Sequence, residues 1–254
     1  MTLTLLGAGN VATHLGMALQ QAGHRICQVW SRTETSAAWL AERLGCPAVS
    51  GMEARLLPSD GYIISVKDDA LEQVARCFIP QAPEALWLHT AGSMPLDILR
   101  GKGTTRIGVF YPMQTFSKHK AVDFSEIPLF LESPADMDVL QELAHSLTPK
   151  VYQLDSEGRK HLHLAAVFAC NFVNHCYALS ARVLKEVDVP FEVMLPLVDE
   201  TARKVHELAP AEAQTGPAIR GDRVVMARHE ALLQEERMRE IYHLLSESIH
   251  TTHD

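Results

Sequence analysis

Two groups of residues in this chain have the types and spacing to do chemistry. The first is Gly7-Ala8-Gly9-Asn10-Val11-Ala12, two glycines one residue apart with a small residue three positions on. It follows a strand-length apolar run, Leu3 to Leu6. It precedes a helically periodic segment, Val11 to Ala22, that ends at Gly23. In that setting Gly7 permits a tight turn, Gly9 admits a pyrophosphate to the backbone, and Ala12 lets helix and strand pack closely. The N–H groups that open the helix then face phosphate oxygens. The alternative is a glycine turn that serves packing alone.

The second group lies in the other half of the chain. From Leu162 to Leu179 a helical stretch is apolar nearly all round, which predicts a buried helix. At ~100° per residue, Lys160, His163, Val167, Asn171 and Asn174 fall within an arc of about 80°. A buried amide or imidazole without partners costs a few kcal/mol, so the stripe must meet polar groups or a ligand. Facing a ligand, His163 or Lys160 would donate a proton, and Asn171 and Asn174 would polarise a carbonyl or imine. Facing protein, the stripe would be a hydrogen-bond network between helices or subunits.

Between these groups lie residues that strand ends would bring to a ligand. The second apolar run ends at Trp30-Ser31-Arg32-Thr33. An NAD site usually places an acid there for the ribose 2′-hydroxyl, but none occurs before Glu34. Ser31, Arg32 and Thr33 instead suit a 2′-phosphate, which predicts NADP. Ligands of open parallel sheets sit beyond the carboxyl ends of strands, which makes Val66, Lys67, Asp68, His89 and Thr90 candidates for the cofactor and Ser93 for the substrate. Arg220 is a candidate for holding a substrate carboxylate, with a structural salt bridge as the alternative. For each strand-end residue the plain alternative is turn chemistry or helix capping.

The elements that must position these groups follow from the pattern. Apolar runs alternate with helical segments as far as Val151–Leu154, and beyond that point no convincing strand occurs. The expected architecture is an N-terminal Rossmann-like α/β domain with a mostly parallel sheet over residues 1–154. An all-helical substrate and dimerisation domain is expected over 155–254. Pro196 is expected to kink a helix running from Pro190 to Leu208.

The chain has 254 residues, 47% of them hydrophobic and 21% charged, with a net charge of −8. That acidity argues against nucleic acid or an anionic membrane as the main partner. The apolar start stops at the glycines, so neither a signal peptide nor a membrane span is expected there. Five scattered cysteines without C-x-x-C spacing fit free thiols in a cytoplasmic protein. No metal-ligand spacing is present: the histidines form no H-E-x-x-H.

Taken together, the glycine motif, Trp30-Ser31-Arg32-Thr33, His89-Thr90-Ala91-Gly92-Ser93, Gly108 to Phe116 and Thr215 to Asp222 resemble one family. It is the set of bacterial Rossmann-like NADP oxidoreductases that carry a C-terminal domain of unknown function. In layout it is similar to pyrroline-5-carboxylate reductase and the 6-phosphogluconate dehydrogenase superfamily. The resemblance implies a helical second domain of the 6-phosphogluconate dehydrogenase type that packs by the nucleotide site and forms a homodimer. The superfamily's hydroxyacid dehydrogenases keep a Lys four residues before an Asn on the first long helix. Here Val167 stands four before Asn171 and Cys170 four before Asn174. That departure counts against hydroxyacid oxidation and favours His163 over Lys160 as the proton donor. The expected function is an NADP-dependent oxidoreductase that reduces a small carbonyl or imine by hydride transfer. The competing reading is a non-catalytic NADP-binding sensor or assembly protein, and a third is binding of another phosphate ligand at the same turn.

Overall fold

The computed structural model describes residues 1–253. Its first half alternates strand and helix: β1 (Thr2–Leu6), α1 (Asn10–Gln21), β2 (Arg25–Ser31), α2 (Glu34–Leu44), β3 (Ala48–Ser50), β4 (Gly61–Ile64), α3 (Asp68–Phe78) and β5 (Leu86–His89). Then follow β6 (Ile107–Pro112), β7 (Leu129–Glu132), α4 (Met137–His145) and β8 (Val151–Gln153). One eight-stranded sheet has the order β3-β2-β1-β4-β5-β6-β7-β8. All neighbours run parallel except β6 and β7. The chain goes outward from β1 through β2 and β3, then returns to place β4 on the other side of β1. The switch point is therefore at the carboxyl ends of β1 and β4, where open α/β sheets bind ligands.

Both faces of the sheet are covered, and so its strands read as almost continuous apolar runs. On one face Leu3, Leu5, Ile63, Leu88 and Phe110 pack with α1, α2 and α4. On the other Leu6, Trp30, Ile64, Trp87 and Val109 pack with α3. No helix from β4 or β5 covers the first face; Phe116, Phe124 and Ile127 from the segment after β6 join that core instead. The edge strand β3, three residues long, and the antiparallel direction of β7 were not legible in the apolar pattern.

Helices follow: α5 (Ser156–Ala166), a π-helical segment (Val167–Phe172), α6 (Val173–Lys185), α7 (Leu195–Glu207), α8 (Arg223–Leu232) and α9 (Glu236–His253). By packing the chain forms two compact units, residues 1–170 and 171 onward, with α5 in the first. The reason is that α5 is anchored to the sheet, as described below. Pro196 does not kink a helix: it lies in the first turn of α7, where its missing N–H costs nothing. In the second unit only Ala218 and Met238 are buried apolar residues among those described. Within that unit an Arg182–Glu235 ion pair and a 2.9 Å hydrogen bond between His229 Nδ1 and the Tyr242 hydroxyl link its helices.

The expectation of a buried long helix is not met. Leu164, Phe168 and Phe172 are 56%, 62% and 50% exposed, and Asn171 and Asn174 are exposed as well. The stretch Ser156–Lys185 is also long and apolar enough to cross a membrane, by length and composition only.

Candidate functional site

The turn between β1 and α1 has the properties its sequence calls for. Gly7 has φ +131°, and a Cβ there would lie 2.0 Å from the Ser65 carbonyl oxygen, so only glycine fits. Gly9 has nothing within 4 Å of where its Cβ would stand, which leaves open space over the backbone. No side chain caps α1, and no acidic residue lies in its first turn. Its leading N–H groups and the positive end of its dipole are thus available to an anion. Ala12 is fully buried against the strand, as the motif requires. Asn10, the first residue of α1, also ties the turn to a distant segment. Its side-chain amide donates to the Phe116 carbonyl at 2.8 Å, and one turn later His14 Nε2–H donates to the Ser117 carbonyl at 2.9 Å. Both tie the segment after β6 to the first turns of α1.

At the end of β2, Ser31 is half-buried while Arg32 and Thr33 are exposed. Thr33 donates its hydroxyl proton to Ser36 at 2.9 Å. Among the described residues the Arg32 side chain is exposed and makes no ion pair, which leaves its guanidinium open to an incoming phosphate. These residues and the open glycine turn fit the phosphates of NADP.

The carboxyl ends of β4 and β5 continue the line. The Ser65 carbonyl lies against Gly7, and the Thr90 hydroxyl donates to Ser65 Oγ at 3.0 Å. Val66 is half-buried and Lys67 exposed, both at the strand end as expected. Asp68 opens α3 and accepts from the Ser93 hydroxyl, so those two side chains hold each other across the two strand ends. His89, a candidate for the cofactor, is fully buried at the end of β5. Its Nδ1 accepts from the Ala91 N–H at 3.2 Å, which puts the neutral ring's proton on Nε2. Nε2 makes no well-formed hydrogen bond, with the Pro95 carbonyl as its polar neighbour. Burial, with the nearby Arg159 charge, pushes the imidazole down to about 3, so it stays neutral.

His89, Val109 and Glu132 form one row across β5, β6 and β7, and His89 and Glu132 share a sheet face with Tyr111, two residues along β6 from Val109. Over that face lies α5, which presents Ser156, Arg159 and His163 at helical spacing. Arg159 is fully buried. It pairs with Glu132 and donates to the Met94 carbonyl at 2.6 Å and to Ser156 Oγ at 3.3 Å. Ser156 in turn donates to Glu132 at 2.8 Å and accepts from the Leu96 N–H at 2.9 Å. This network fixes the loop after β5 to α5 and makes the helix start part of the first unit. One turn beyond Arg159, His163 Nδ1 lies 3.2 Å from the Tyr111 hydroxyl in a hydrogen bond. Gly92 lies against the pair: a Cβ there would stand 2.7 Å from His163 Nδ1 and 2.8 Å from Tyr111 Cζ. Burial pushes the Tyr111 phenol up, and the Arg159 charge works against that rise.

Of the helical stripe, only His163 reaches this site within the first unit. The structure's polar face runs through 156, 159 and 163, one position off the arc through Lys160. Lys160 instead pairs with Glu157 at 2.6 Å on the exposed side. Asn171 lies in the π segment, whose i→i+5 bonding breaks the 3.6-residue reckoning that aligned Asn171 and Asn174 with His163. Arg220 is exposed on the turn before Asp222, which caps α8. Sequence reasoning missed Tyr111, Glu132, Arg159 and Gly92. Strand alternation past Ile107 and Val109 was the available signal for Tyr111.

Comparison with known proteins adds to this geometry. Residues 2–86 match a family model described as NADP oxidoreductase, coenzyme F420-dependent, and residues 127–249 match a domain of unknown function. The crystal structure of "putative NADP oxidoreductase BF3122" from Bacteroides fragilis is 50% identical and superposes with a TM-score of 0.94, covering 98% of each chain. Protein TM1727 of Thermotoga maritima is 21% identical, with a TM-score of 0.73 over 99% of this chain and 98% of that one. An imine reductase of Myxococcus stipitatus, solved in complex with NADP+, is 18% identical, with a TM-score of 0.64 over 99% and 92% of the two chains. The last two likenesses speak to the fold alone. No curated protein matches the chain.

Proposed function

This chain belongs to the NADP oxidoreductase family of the Bacteroides fragilis protein, and from that premise we propose that it reduces a small carbonyl or imine by hydride transfer. The observation that carries the reading is the Tyr111–His163 pair, set under Gly92 on the loop that continues from the nucleotide turn through Ser65 and Thr90. Gly7, Gly9 and the uncapped start of α1 would hold the pyrophosphate, and Ser31, Arg32 and Thr33 the 2′-phosphate. NADPH supplies the hydride when bound. Tyr111 and His163 hold the proton the reduced heteroatom needs, and Arg159 with Glu132 fixes the helix that carries His163. Imine reductases of this fold, solved with NADP+, support an imine as one substrate class.

Lys67 would lie beside the cofactor, and Ser93 beside the substrate. Asn171, Asn174 and Arg220 are exposed polar groups that remain candidates for substrate contact. The exposed apolar side chains of the helical unit support a homodimer formed through that unit, and the buried network at α5 supports a soluble rather than membrane-spanning Ser156–Lys185. The competing sensor reading predicts tight NADPH binding without turnover.

Two measurements test the proposal. NADPH oxidation is followed over a panel of cyclic imines and small keto acids; no turnover on any of them rejects the reductase. Arg32→Asp is expected to weaken NADPH binding about 10- to 100-fold, the worth of a charge-assisted contact, and NADH by less than about threefold. Equal losses reject the 2′-phosphate assignment.

A further inference from the structure

We propose, building on the reductase reading, that Tyr111 is the catalytic acid that touches the substrate, and that His163 acts through it as a positioning and proton-supplying partner. Tyr111 precedes the last residue of β6, at the carboxyl edge where this sheet type binds ligands. From β1 to β6 is three inter-strand steps, or about 14 Å. The contacts along that line run from Gly7 to Ser65, from Ser65 to Thr90, and from Gly92 to the pair.

The chemistry separates the two side chains. His163 Nδ1 faces the phenol oxygen at 3.2 Å, and the rings meet edge to face with centroids 6.2 Å apart. A phenol has one proton and two lone pairs, so Tyr111 can accept from His163 and still donate outward. The Nδ1 of His163 is committed to Tyr111 and cannot reach a substrate at the same time. Arg159 and Glu132 lock α5 one turn before His163, which holds the imidazole at this distance. Burial keeps the phenol protonated at neutral pH, while the Arg159 charge favours the phenolate that forms when the proton leaves.

The step balances as follows. Hydride arrives at the electrophilic carbon, and the C=N or C=O π pair moves to the heteroatom. That atom forms a bond to the Tyr111 proton as the phenol O–H breaks. The phenolate oxygen regains its proton along the hydrogen bond to His163, and the one proton consumed per turnover comes from the buffered solvent. The substrate gains one hydride and one proton, and the reductant is the reduced nicotinamide.

The first test needs no turnover. In protein labelled at tyrosine Cζ, the resonance missing from Tyr111→Phe identifies Tyr111. Its alkaline titration is expected at a higher pH in His163→Leu than in the wild type, because the phenolate loses its hydrogen-bond donor. The same titration in both proteins overturns the coupling.

The second test uses an imine that the wild type reduces. Tyr111→Phe is expected to lower kcat at least about 100-fold, within the usual worth of a general acid, with NADPH affinity within about twofold of wild type. His163→Gln is expected to lower kcat about 10-fold with KM within about twofold of wild type, the split expected of a positioning residue. Retention of more than about a third of kcat by Tyr111→Phe overturns the proposal and leaves the reductase standing. A wild type that reduces nothing overturns both.

Discussion

In residues 1–170 helices and a packed segment cover both faces of the sheet, and Leu5, Ile63, Trp87 and Phe110 are fully buried. From residue 171 onward the helices leave Leu197, Val205, Leu232 and Leu244 at 58%, 51%, 72% and 64% exposure. Fully burying a side chain of this size stabilises by about 1.5–3 kcal/mol, which the second unit forgoes many times over. The first unit therefore has a core of its own, and within it the Tyr111–His163 pair is held by buried contacts. The second leaves much of its apolar surface exposed, the observation behind the homodimer proposed above.

The contrast breaks first, and hardest, at the glycine turn. Gly7→Ala places a methyl on the Ser65 carbonyl at a backbone angle that only glycine adopts readily, so a loss above about 3 kcal/mol is expected by denaturant titration. Gly9→Ala has room for its methyl and is expected to cost less than about 1 kcal/mol of stability, yet to weaken NADPH at least about tenfold. Equal stability losses at the two glycines would show that the turn is only packing.

The helical unit is tested by association. Sedimentation is expected to show a dimer, and Leu197→Glu with Leu244→Glu to weaken it by at least about 100-fold while sparing NADPH binding. A wild type that stays monomeric at every concentration would mean that the exposed faces have another role.

A smaller effect comes from His89. Its folded-state pKa of about 3 lies below the unfolded value, so between roughly pH 6.5 and 3 the unfolded chain binds more protons and stability is lost as the pH is lowered. Between pH 6.5 and 5 that amounts to about 2 kcal/mol, and His89→Leu is expected to remove this part of the slope. An unchanged slope would place the acid sensitivity elsewhere.

The smallest effect is expected at Lys160. Its ion pair with Glu157 is exposed, so Lys160→Ala should change stability by less than about 0.5 kcal/mol and turnover by less than about twofold. A large loss of turnover would return Lys160 to the site.

The amino-acid sequence alone determined the β1–α1 turn, the Ser31-Arg32-Thr33 end of β2 and the Rossmann-like order. These rest on local demands: a glycine φ, an apolar period, an absent acid. Tertiary structure decided the rest. Tyr111 and His163 are 52 positions apart, and Glu132 and Arg159 are 27, so only the sheet row and the anchored helix could bring each pair together. It also enclosed His89, a strand-end candidate for the cofactor. The π segment escaped the sequence reading for a related reason. Periodicity assumes one fixed turn, and a single widened turn shifts every face beyond it.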